Sequence, residues 1–259
     1  MNPVAFSVFG VEVYWYGMII SFAIIVAFLI ASYVMKKIGY RDEIVYEVLL
    51  IIIPLGIIGL RLHYIVFSGE SLLSFFKFRD GGLAIHGAIW AGALGIYLYT
   101  RFIRRCSFFA ISDIVVLVLI LAQSIGRWGN FFNQELYGLS TGDFHFFPLT
   151  VMIGSTPHLA LFFYESILNL IGFIILYKVF STQKRYGTTS AMYLIIYGTI
   201  RASLELLRDP DFILGSGIGI PFSMIISIAA IGIGFLLLYL NKLGKLSQKD
   251  IALRADKEA

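Results

Sequence analysis

The sequence predicts an all-α, polytopic integral membrane protein with seven transmembrane helices and a small extracytoplasmic cap. Hydrophobic residues make up 59% and charged residues 14% of the 259 residues, and the mean hydropathy is +0.86. A soluble domain is about one-half apolar and one-quarter charged, so the excess of apolar residues indicates a lipid environment. The apolar runs are continuous, without the alternation of a membrane β-barrel, and this favours helices. The lysines and arginines occur in alternate loops, as expected for a multi-pass protein.

Seven apolar runs are long enough to cross the hydrocarbon core as helices, which takes about 20 residues. They cover residues 14–35, 44–66, 83–102, 109–125, 160–180, 188–207 and 221–240. Because nothing basic precedes the first run, a cleaved signal peptide is not expected. The chain has one cysteine, Cys106, so an internal disulfide and a cysteine-based metal site are excluded.

The basic residues predict the orientation. They follow the first, third, fifth and seventh runs: Lys36, Lys37, Arg41, Arg101, Arg104, Arg105, Lys178, Lys184, Arg185, Lys242, Lys245, Lys249, Arg254 and Lys257. These loops are expected to be cytoplasmic, which places the N-terminus outside and the C-terminus in the cytoplasm. We expect one transmembrane domain over residues 1–259, with outside cap segments at about 67–82 and 126–159 and a cytoplasmic tail at about 241–259. The net charge of +4 then reflects topology and does not indicate a nucleic-acid partner.

A polar stretch, GRWGNFFNQELYG at residues 126–138, directly follows the fourth run. Its glycines are expected to let the backbone leave the helix, and Arg127 and Asn130 are spaced to share one face. An arginine fork beside amide groups suits a phosphate or carboxylate at the membrane surface. The alternative is an interfacial loop whose arginine reaches toward water.

The sixth run contains a second group of charges, in YGTIRASLELLRDPD. Arg201, Glu205 and Arg208 are spaced i, i+4 and i+7, so they predict one stripe on a helix, with Tyr197 one turn earlier. Two arginines against one glutamate leave a positive charge that can hold an anion. A structural network of ion pairs between helices is the alternative.

A histidine, His86, lies in DGGLAIHG at the start of the third run. Because imidazole titrates near neutral pH, His86 is a candidate proton acceptor. A histidine that is hydrogen-bonded to a neighbouring helix would give the same pattern.

Two further runs contain polar residues near the ends that are predicted to lie outside. The second run has Arg61 and Tyr64, and an arginine that reaches toward the interface explains Arg61 equally well. The fifth run has Glu165 and Asn169, four residues apart on one face, and Glu165 is able to pair with an arginine. None of these motifs has the spacing of a metal site.

Taken together, these residues predict an arginine-rich cavity that contains a histidine, opens outward and binds a negatively charged head group. Charges within the hydrocarbon cost about 2.5–3.5 kcal/mol each on insertion scales and are usually functional. A transporter or channel for small anions remains open as a second class, although no inverted repeat is visible. A purely structural membrane subunit is the third class, and it leaves the converging charges unexplained.

The motifs together resemble one family, the prolipoprotein diacylglyceryl transferases of bacterial inner membranes. GRWGNFFNQELYG is similar to the family signature G-R-x-G-N-F-x-N-x-E-x-x-G over its full length. The residues that match family motifs are Tyr16, Arg61, Tyr64, His86, Arg127, Asn130, Asn133, Glu135, Gly138, Tyr197, Arg201 and Glu205. With Glu165 and Arg208, they form the predicted site.

The resemblance implies a reaction. The diacylglyceryl group of phosphatidylglycerol is transferred to the lipobox cysteine thiol of a prolipoprotein signal peptide, and glycerol 1-phosphate is released. This is the first step of bacterial lipoprotein maturation. Arg127 matches the family's arginine that binds phosphatidylglycerol. Together with Arg201, it would stabilise the charge on the leaving phosphate. His86 is the candidate base that deprotonates the thiol. Neither a metal nor an organic cofactor is required.

The sequence departs from the family pattern at three places. Ala88 stands where a second glycine is usual, Leu139 stands where an arginine is usual, and the order of Pro157 and His158 is reversed. These differences affect the surface that docks the peptide more than the phospholipid site.

Overall fold

The computed structural model of the chain describes residues 2–68, 75, 85–213, 221–246, 248, 250 and 253–254, without the side chains of residues 67, 68, 85 and 86. Most of the predicted cap segment 67–82 and much of the predicted tail 241–259 therefore lie outside the described residues.

The described part of the chain is mostly helical. Its strands are β1 (Val4–Val8), β2 (Val11–Tyr14), β3 (Thr150–Ile153) and β4 (Thr156–Leu159). Its α-helices are α1 (Trp15–Lys37), α2 (Glu43–Ser68), α3 (Ile85–Leu98), α4 (Phe108–Asn133), α5 (Leu161–Thr182), α6 (Thr188–Glu205) and α7 (Phe222–Lys242). A π-helical turn, Tyr99–Ile103, extends α3, so a helix lies in each of the seven runs predicted from the sequence.

Five helices, α1, α2, α4, α5 and α7, are long and apolar enough to cross a membrane. The α-helical part of α3 has 14 residues, and α6 carries Arg201 and Glu205 within its 18 residues. The part of the chain that the structure describes therefore supports a helical membrane protein with five candidate spans, whereas the predicted number of seven spans remains a prediction.

The fourth helix differs from its prediction. The glycines at 126 and 129 were expected to end it near residue 125, but α4 continues to Asn133. The reason is packing against α1: a Cβ on Gly126 would lie 3.3 Å from Ile20 Cδ1. A glycine within a helix costs about 1 kcal/mol relative to alanine, and here the close approach of α1 offsets that cost. The polar signature therefore begins on a helix and not in a loop.

Two short antiparallel hairpins, which the sequence analysis did not predict, accompany the helices. β1 pairs with β2, with Val8 opposite Val11, and β3 pairs with β4, with Ile153 opposite Thr156. The first hairpin leads directly into α1, and the second lies in the connection between α4 and α5.

The chain divides into two compact units. The first unit comprises Met1–Ile30 and Asp113–Leu246, and the second comprises Ala31–Ser112 and Ser247–Ala259.

In the first unit, α6 and α7 pack at close range through glycines. A Cβ on Gly198 would lie 2.9 Å from the Ser227 carbonyl oxygen, and one on Gly234 would lie 2.8 Å from the Ala191 carbonyl oxygen. Small residues that bring two helix backbones together are typical of membrane helix pairs, because lipid offers little hydrophobic driving force for association.

In the second unit, α2 packs against α3, and the Arg104 guanidinium holds both oxygens of Glu47. Its Nε donates to Glu47 Oε2 at 2.9 Å and its Nη2 to Oε1 at 2.5 Å. Leu253, from the end of the chain, is fully buried, and its carbonyl oxygen accepts a hydrogen bond from the Arg41 amide.

Candidate active site

A buried carboxylate joins two arginines from different helices of the first unit. Glu165 on α5 is 3% exposed; its Oε1 lies 2.7 Å from Arg127 Nη2 on α4. Its Oε2 accepts a hydrogen bond from Arg201 Nη1 on α6 at 3.1 Å. The contact with Arg127 is an ion pair without hydrogen-bond geometry, because Glu165 Oε1 has no hydrogen-bond partner among the described residues. Glu165 therefore contacts both arginines, where the sequence analysis expected one.

A second carboxylate extends the network. Glu205 Oε2 lies 3.6 Å from Arg201 Nη2 and 3.3 Å from Arg208 Nε. The predicted stripe needs a correction, since α6 ends at Glu205 and Arg208 lies in the turn that follows. Arg208 still reaches Glu205 from that turn. Arg127, Glu165, Arg201, Glu205 and Arg208 are hereafter the arginine cluster; three guanidiniums and two carboxylates give it a formal net charge of +1.

The two carboxylates are the least accessible charged groups of the cluster. Their side chains are 4% exposed for Glu165 and 2% for Glu205, whereas those of Arg127 and Arg201 are 18% and 15% exposed. Carboxylates buried behind guanidiniums fix the arginine positions and leave donor groups available at the accessible side. Such an arrangement suits an anionic ligand that accepts hydrogen bonds from two arginine forks.

Two tyrosines from different helices lie near Arg127. Its guanidinium interacts with the side chains of Tyr197 on α6 and Tyr16 on α1. Tyr16 is 38% exposed, and its ring lies where a Cβ on residue 129 would be, 2.8 Å from Tyr16 Cε2. Gly129 is therefore required so that the Tyr16 ring can lie against α4 beside Arg127.

The asparagines of the signature organise the turn that ends α4. Asn130 Nδ2 and Asn133 Nδ2 donate to Glu135 Oε1 at 3.0 and 3.2 Å, while Asn130 Oδ1 accepts from Arg127 Nη1 at 3.5 Å. Arg127 and Asn130 thus share one helix face, as their spacing predicts. The side chains of Asn130 and Asn133 are paired with Arg127 and Glu135, so any contact of Asn130, Asn133 and Glu135 with substrate remains a prediction.

The last glycine of the signature brings Arg208 to the cluster. Gly138 forms an isolated β-bridge with Arg208, and a Cβ on Gly138 would lie 2.6 Å from the Leu207 carbonyl oxygen. His158 on β4 is hydrogen-bonded to the Gly138 carbonyl oxygen at 2.9 Å through Nδ1 and lies 3.5 Å from Asp209 Oδ2. Because a Cβ at position 138 would clash with this backbone, only glycine allows the two segments to approach so closely.

Three of the predicted site residues belong to the second unit. Arg61 is 1% exposed, and its Nε donates to the Phe75 carbonyl oxygen at 3.2 Å. Its guanidinium lies 5.5 Å from the centroid of the Tyr64 ring. Arg61 is therefore buried within its unit and does not reach toward water. His86 begins α3 with Ile85, but its side chain lies outside the described residues, and its role remains a prediction.

The sequence analysis missed a buried aspartate at the opposite end of the first unit's helices. Asp113 on α4 is fully buried and accepts hydrogen bonds from Ser190 Oγ at 2.6 Å and from the Gly187 amide at 2.7 Å. The signal was present, because an aspartate inside the apolar run at 109–125 requires a partner.

Comparisons with known proteins assign a family. The chain matches the family described as prolipoprotein diacylglyceryl transferase over residues 3–240. A phosphatidylglycerol–prolipoprotein diacylglyceryl transferase of Clostridioides difficile (strain 630) is 36% identical over 238 residues, which cover 90% of this chain and 92% of the relative. The enzyme of the same name from Finegoldia magna is 33% identical over 242 residues, 92% and 94% of the two chains. One from Clostridium botulinum (strain 657 / Type Ba4) is 37% identical over 250 residues, 92% and 98%.

Proposed function

We propose that this chain, which belongs to the prolipoprotein diacylglyceryl transferase family, transfers the diacylglyceryl group of phosphatidylglycerol to a prolipoprotein cysteine thiol and releases glycerol 1-phosphate. Among the features of the site, the pairing of Arg127 and Arg201 across the buried Glu165 carboxylate carries this proposal. The two arginine side chains come from different helices and are held by one carboxylate, so their forks can converge on one phosphate group.

The chemistry follows from where charge develops. The cysteine sulfur attacks the glyceryl carbon next to the phosphate, a thioether C–S bond forms, and the C–O bond to the phosphate breaks. The electron pair of the broken bond stays on the phosphate oxygen, so the leaving glycerol phosphate gains negative charge. Fixed guanidiniums near that oxygen stabilise the transition state more than the ground state, which raises the rate of the chemical step.

The thiol needs a proton acceptor, because the thiolate is the nucleophile and a free cysteine has a pKa of about 8.5. His86 takes this proton in our proposal, which rests on its sequence motif. The remaining predicted residues bind substrate. Tyr16 and Tyr197 lie beside Arg127, Arg61 and Tyr64 lie on α2, and Glu205 and Arg208 belong to the arginine cluster. The others belong to the polar signature: Asn130, Asn133, Glu135 and Gly138.

The membrane placement belongs to the same proposal. Seven spans, with the shorter α3 and α6 included, put the arginine cluster at the outer leaflet of the bacterial inner membrane, with the N-terminus outside and the C-terminus in the cytoplasm. The segment between α4 and α5 then forms the extracytoplasmic cap, where the lipobox of the signal peptide docks. Membrane phospholipid supplies the diacylglyceryl donor from the same leaflet.

The test is a reaction with defined substrates. Purified protein in phosphatidylglycerol vesicles is incubated with a lipobox peptide, and lipidated peptide and glycerol phosphate are quantified by mass spectrometry. The proposal expects the two products in equal amounts and no product when serine replaces the peptide cysteine, since a hydroxyl is far less ionised than a thiol at neutral pH. Glycerol phosphate without peptide modification would indicate a lipid hydrolase, and anion flux across sealed vesicles without lipid cleavage would indicate a transporter.

A further inference from the structure

A buried asparagine lies one helical turn from the arginine cluster. Asn169 on α5 is fully buried, and neither its Nδ2 nor its Oδ1 has a hydrogen-bond partner among the described residues. An amide group taken out of water without a partner lowers stability, because its hydrogen bonds to water are lost and not replaced. A buried polar group without a partner therefore requires an explanation.

The packing of α5 against its neighbours fixes the level of Asn169. Ser124 Oγ on α4 donates to the Ser166 carbonyl oxygen at 2.7 Å, and a Cβ on Gly172 would lie 2.7 Å from Ile120 Cδ1. α4 and α5 therefore run antiparallel, and Asn169, which lies between Ser166 and Gly172 along α5, is level with residues 121–123 of α4.

The same argument applies to α6. Glu165 contacts Arg201, and a Cβ on Gly172 would lie 3.1 Å from Ile196 Cγ2. These contacts place Asn169 level with residues 197–198 of α6. Asn169 thus lies on the buried face of α5, below Glu165 and at the level of Tyr197, whose side chain interacts with Arg127.

The polar groups of α4 and α6 at this level are already paired. Gln123 Nε2 donates to the Tyr193 hydroxyl at 3.0 Å, and the Tyr193 ring stacks on Tyr197 with centroids 5.6 Å apart. One turn earlier on α5, Glu165 Oε1 has no hydrogen-bond partner among the described residues. Side chains four residues apart on a helix have Cβ atoms about 5–6 Å apart, a spacing that one water molecule bridges with two hydrogen bonds.

We propose that Asn169 is a positioning residue of the reaction: its amide donates to one bound water, the water donates to Glu165 Oε1, and the carboxylate is thereby held between Arg127 and Arg201. A buried water with two to four polar partners is an ordinary component of a protein interior. The inference rests on the proposed function, because it assigns Asn169 to the placement of the two arginines on the phosphate.

The test uses a substitution that separates stability from turnover. Asn169→Leu keeps the branch point and the number of side-chain heavy atoms but removes both polar groups. If Asn169 has no task, Asn169→Leu should be neutral or stabilising and fully active, since an unpartnered buried amide has been replaced by an apolar group. Our proposal expects an unchanged or higher unfolding temperature together with a loss of kcat on the order of 10-fold to 100-fold, as small displacements of positioned groups cause. KM for phosphatidylglycerol should change much less than kcat.

Two further variants complete the experiment. Asn169→Thr retains a hydroxyl that can bind the water, so it should recover a clear part of the kcat lost in Asn169→Leu. Asn241→Leu removes another buried asparagine, whose Nδ2 donates to Thr188 Oγ1 at 3.0 Å; it should lower the unfolding temperature and leave kcat unchanged. Wild-type kcat in Asn169→Leu, or equal losses in the threonine and leucine variants, would overturn the positioning role. Absence of transfer by the wild-type protein would instead overturn the proposed function.

Discussion

Asp113 and Glu165 are both buried carboxylates of the first unit, yet their surroundings differ. Asp113 Oδ1 accepts from the Ser190 amide and hydroxyl at 2.8 and 2.6 Å. Its Oδ2 accepts from the Gly187 amide and from Gln183 Nε2 at 2.7 and 3.1 Å. Four uncharged donors therefore satisfy Asp113, whereas Glu165 is held by two arginines and has one oxygen without a hydrogen bond among the described residues.

The difference separates a polar site whose carboxylate is fully paired from the cluster that, in our proposal, binds the phosphate. Asp113 lies at the N-terminus of α6, where backbone amides and the helix dipole favour a negative charge. Its carboxylate therefore does not require a positively charged partner. The arginine cluster has a formal charge of +1 and donors left over. Arg127 follows Asp113 by 14 residues on α4, about 21 Å at the helical rise. Helix α4 therefore carries a hydrogen-bonded structural residue, Asp113, near its N-terminus and Arg127 of the proposed site near its C-terminus.

The largest expected loss of activity comes from replacing the arginine guanidiniums by lysine ammonium groups. Arg127→Lys and Arg201→Lys keep the charge but lose bidentate geometry, so each should lower kcat by about 10²–10³ while the protein still folds. The measurement is transfer of label from phosphatidylglycerol to a lipobox peptide. Arg101→Lys, at an exposed position of the π-helical turn, is the matched control and should be silent. Near-normal turnover in both site variants would mean that charge alone suffices.

Replacing the bridging carboxylate should reduce stability in a way that an anion can restore. Glu165→Gln leaves Arg127 and Arg201 close together without the carboxylate between them, and loss of one partner of a buried pair costs about 3 kcal/mol. The thermal midpoint in zwitterionic lipid should fall. Phosphatidylglycerol should then raise it by more than in wild type, because an anion that binds the folded state stabilises it. If phosphatidylglycerol raised the thermal midpoint equally in wild type and Glu165→Gln, Glu165 would not belong to the anion site.

Asp113→Asn should act on stability alone. The new amide nitrogen would face donors such as Gln183 Nε2 and the Gly187 amide, and unsatisfied buried donors cost about 2 kcal/mol. We expect a lower unfolding midpoint in detergent and nearly unchanged kcat per folded molecule. If this variant lost turnover as severely as Arg127→Lys, the two ends of the bundle would not be functionally distinct.

Gly138→Ala should cost about 1–2 kcal/mol by overpacking, since its Cβ would lie 2.6 Å from the Leu207 carbonyl oxygen. Because the bridge to Arg208 would move, a small loss of turnover should accompany the lower midpoint. Gly232→Ala is the control: a Cβ there meets nothing within 4 Å, so alanine should be neutral or slightly stabilising in the helix. Equal effects of the two substitutions would argue against the close approach at Gly138.

The smallest perturbation tests which end faces outward. Ser155→Cys, in the turn between β3 and β4, should react with an impermeant maleimide added to intact cells, whereas Ser181→Cys at the end of α5 should not. Burial raises the pKa of the native Cys106 thiol to about 11, so at pH 7 only about 10⁻⁴ of it is thiolate and the background is low. Labelling of Ser181→Cys from outside would show that the orientation is opposite to the predicted one.

The sequence by itself determined the membrane class, the positions of the helices and, through its motifs, the family. Continuous apolar runs can satisfy their backbone in lipid only as helices, so a helix was predictable in each run. The pairing of Glu165 was open to prediction for a similar reason, since a lone carboxylate in an apolar run needs a partner and the neighbouring runs contain arginines. The motifs were informative because the predicted binding residues occur within a few short segments.

Only the tertiary structure decided which polar groups meet. Gly126 and Gly129 read as helix breakers in isolation, yet α1 packs onto them and α4 continues to Asn133. That Glu165 contacts two arginines and that Asn169 is fully buried both depend on the register between helices. Local periodicity determines which residues share a helix face. The neighbouring helix that this face contacts is determined by packing between segments far apart in the chain. An unpaired buried charge is costly, and this cost favours the packing arrangement in which the charges are paired.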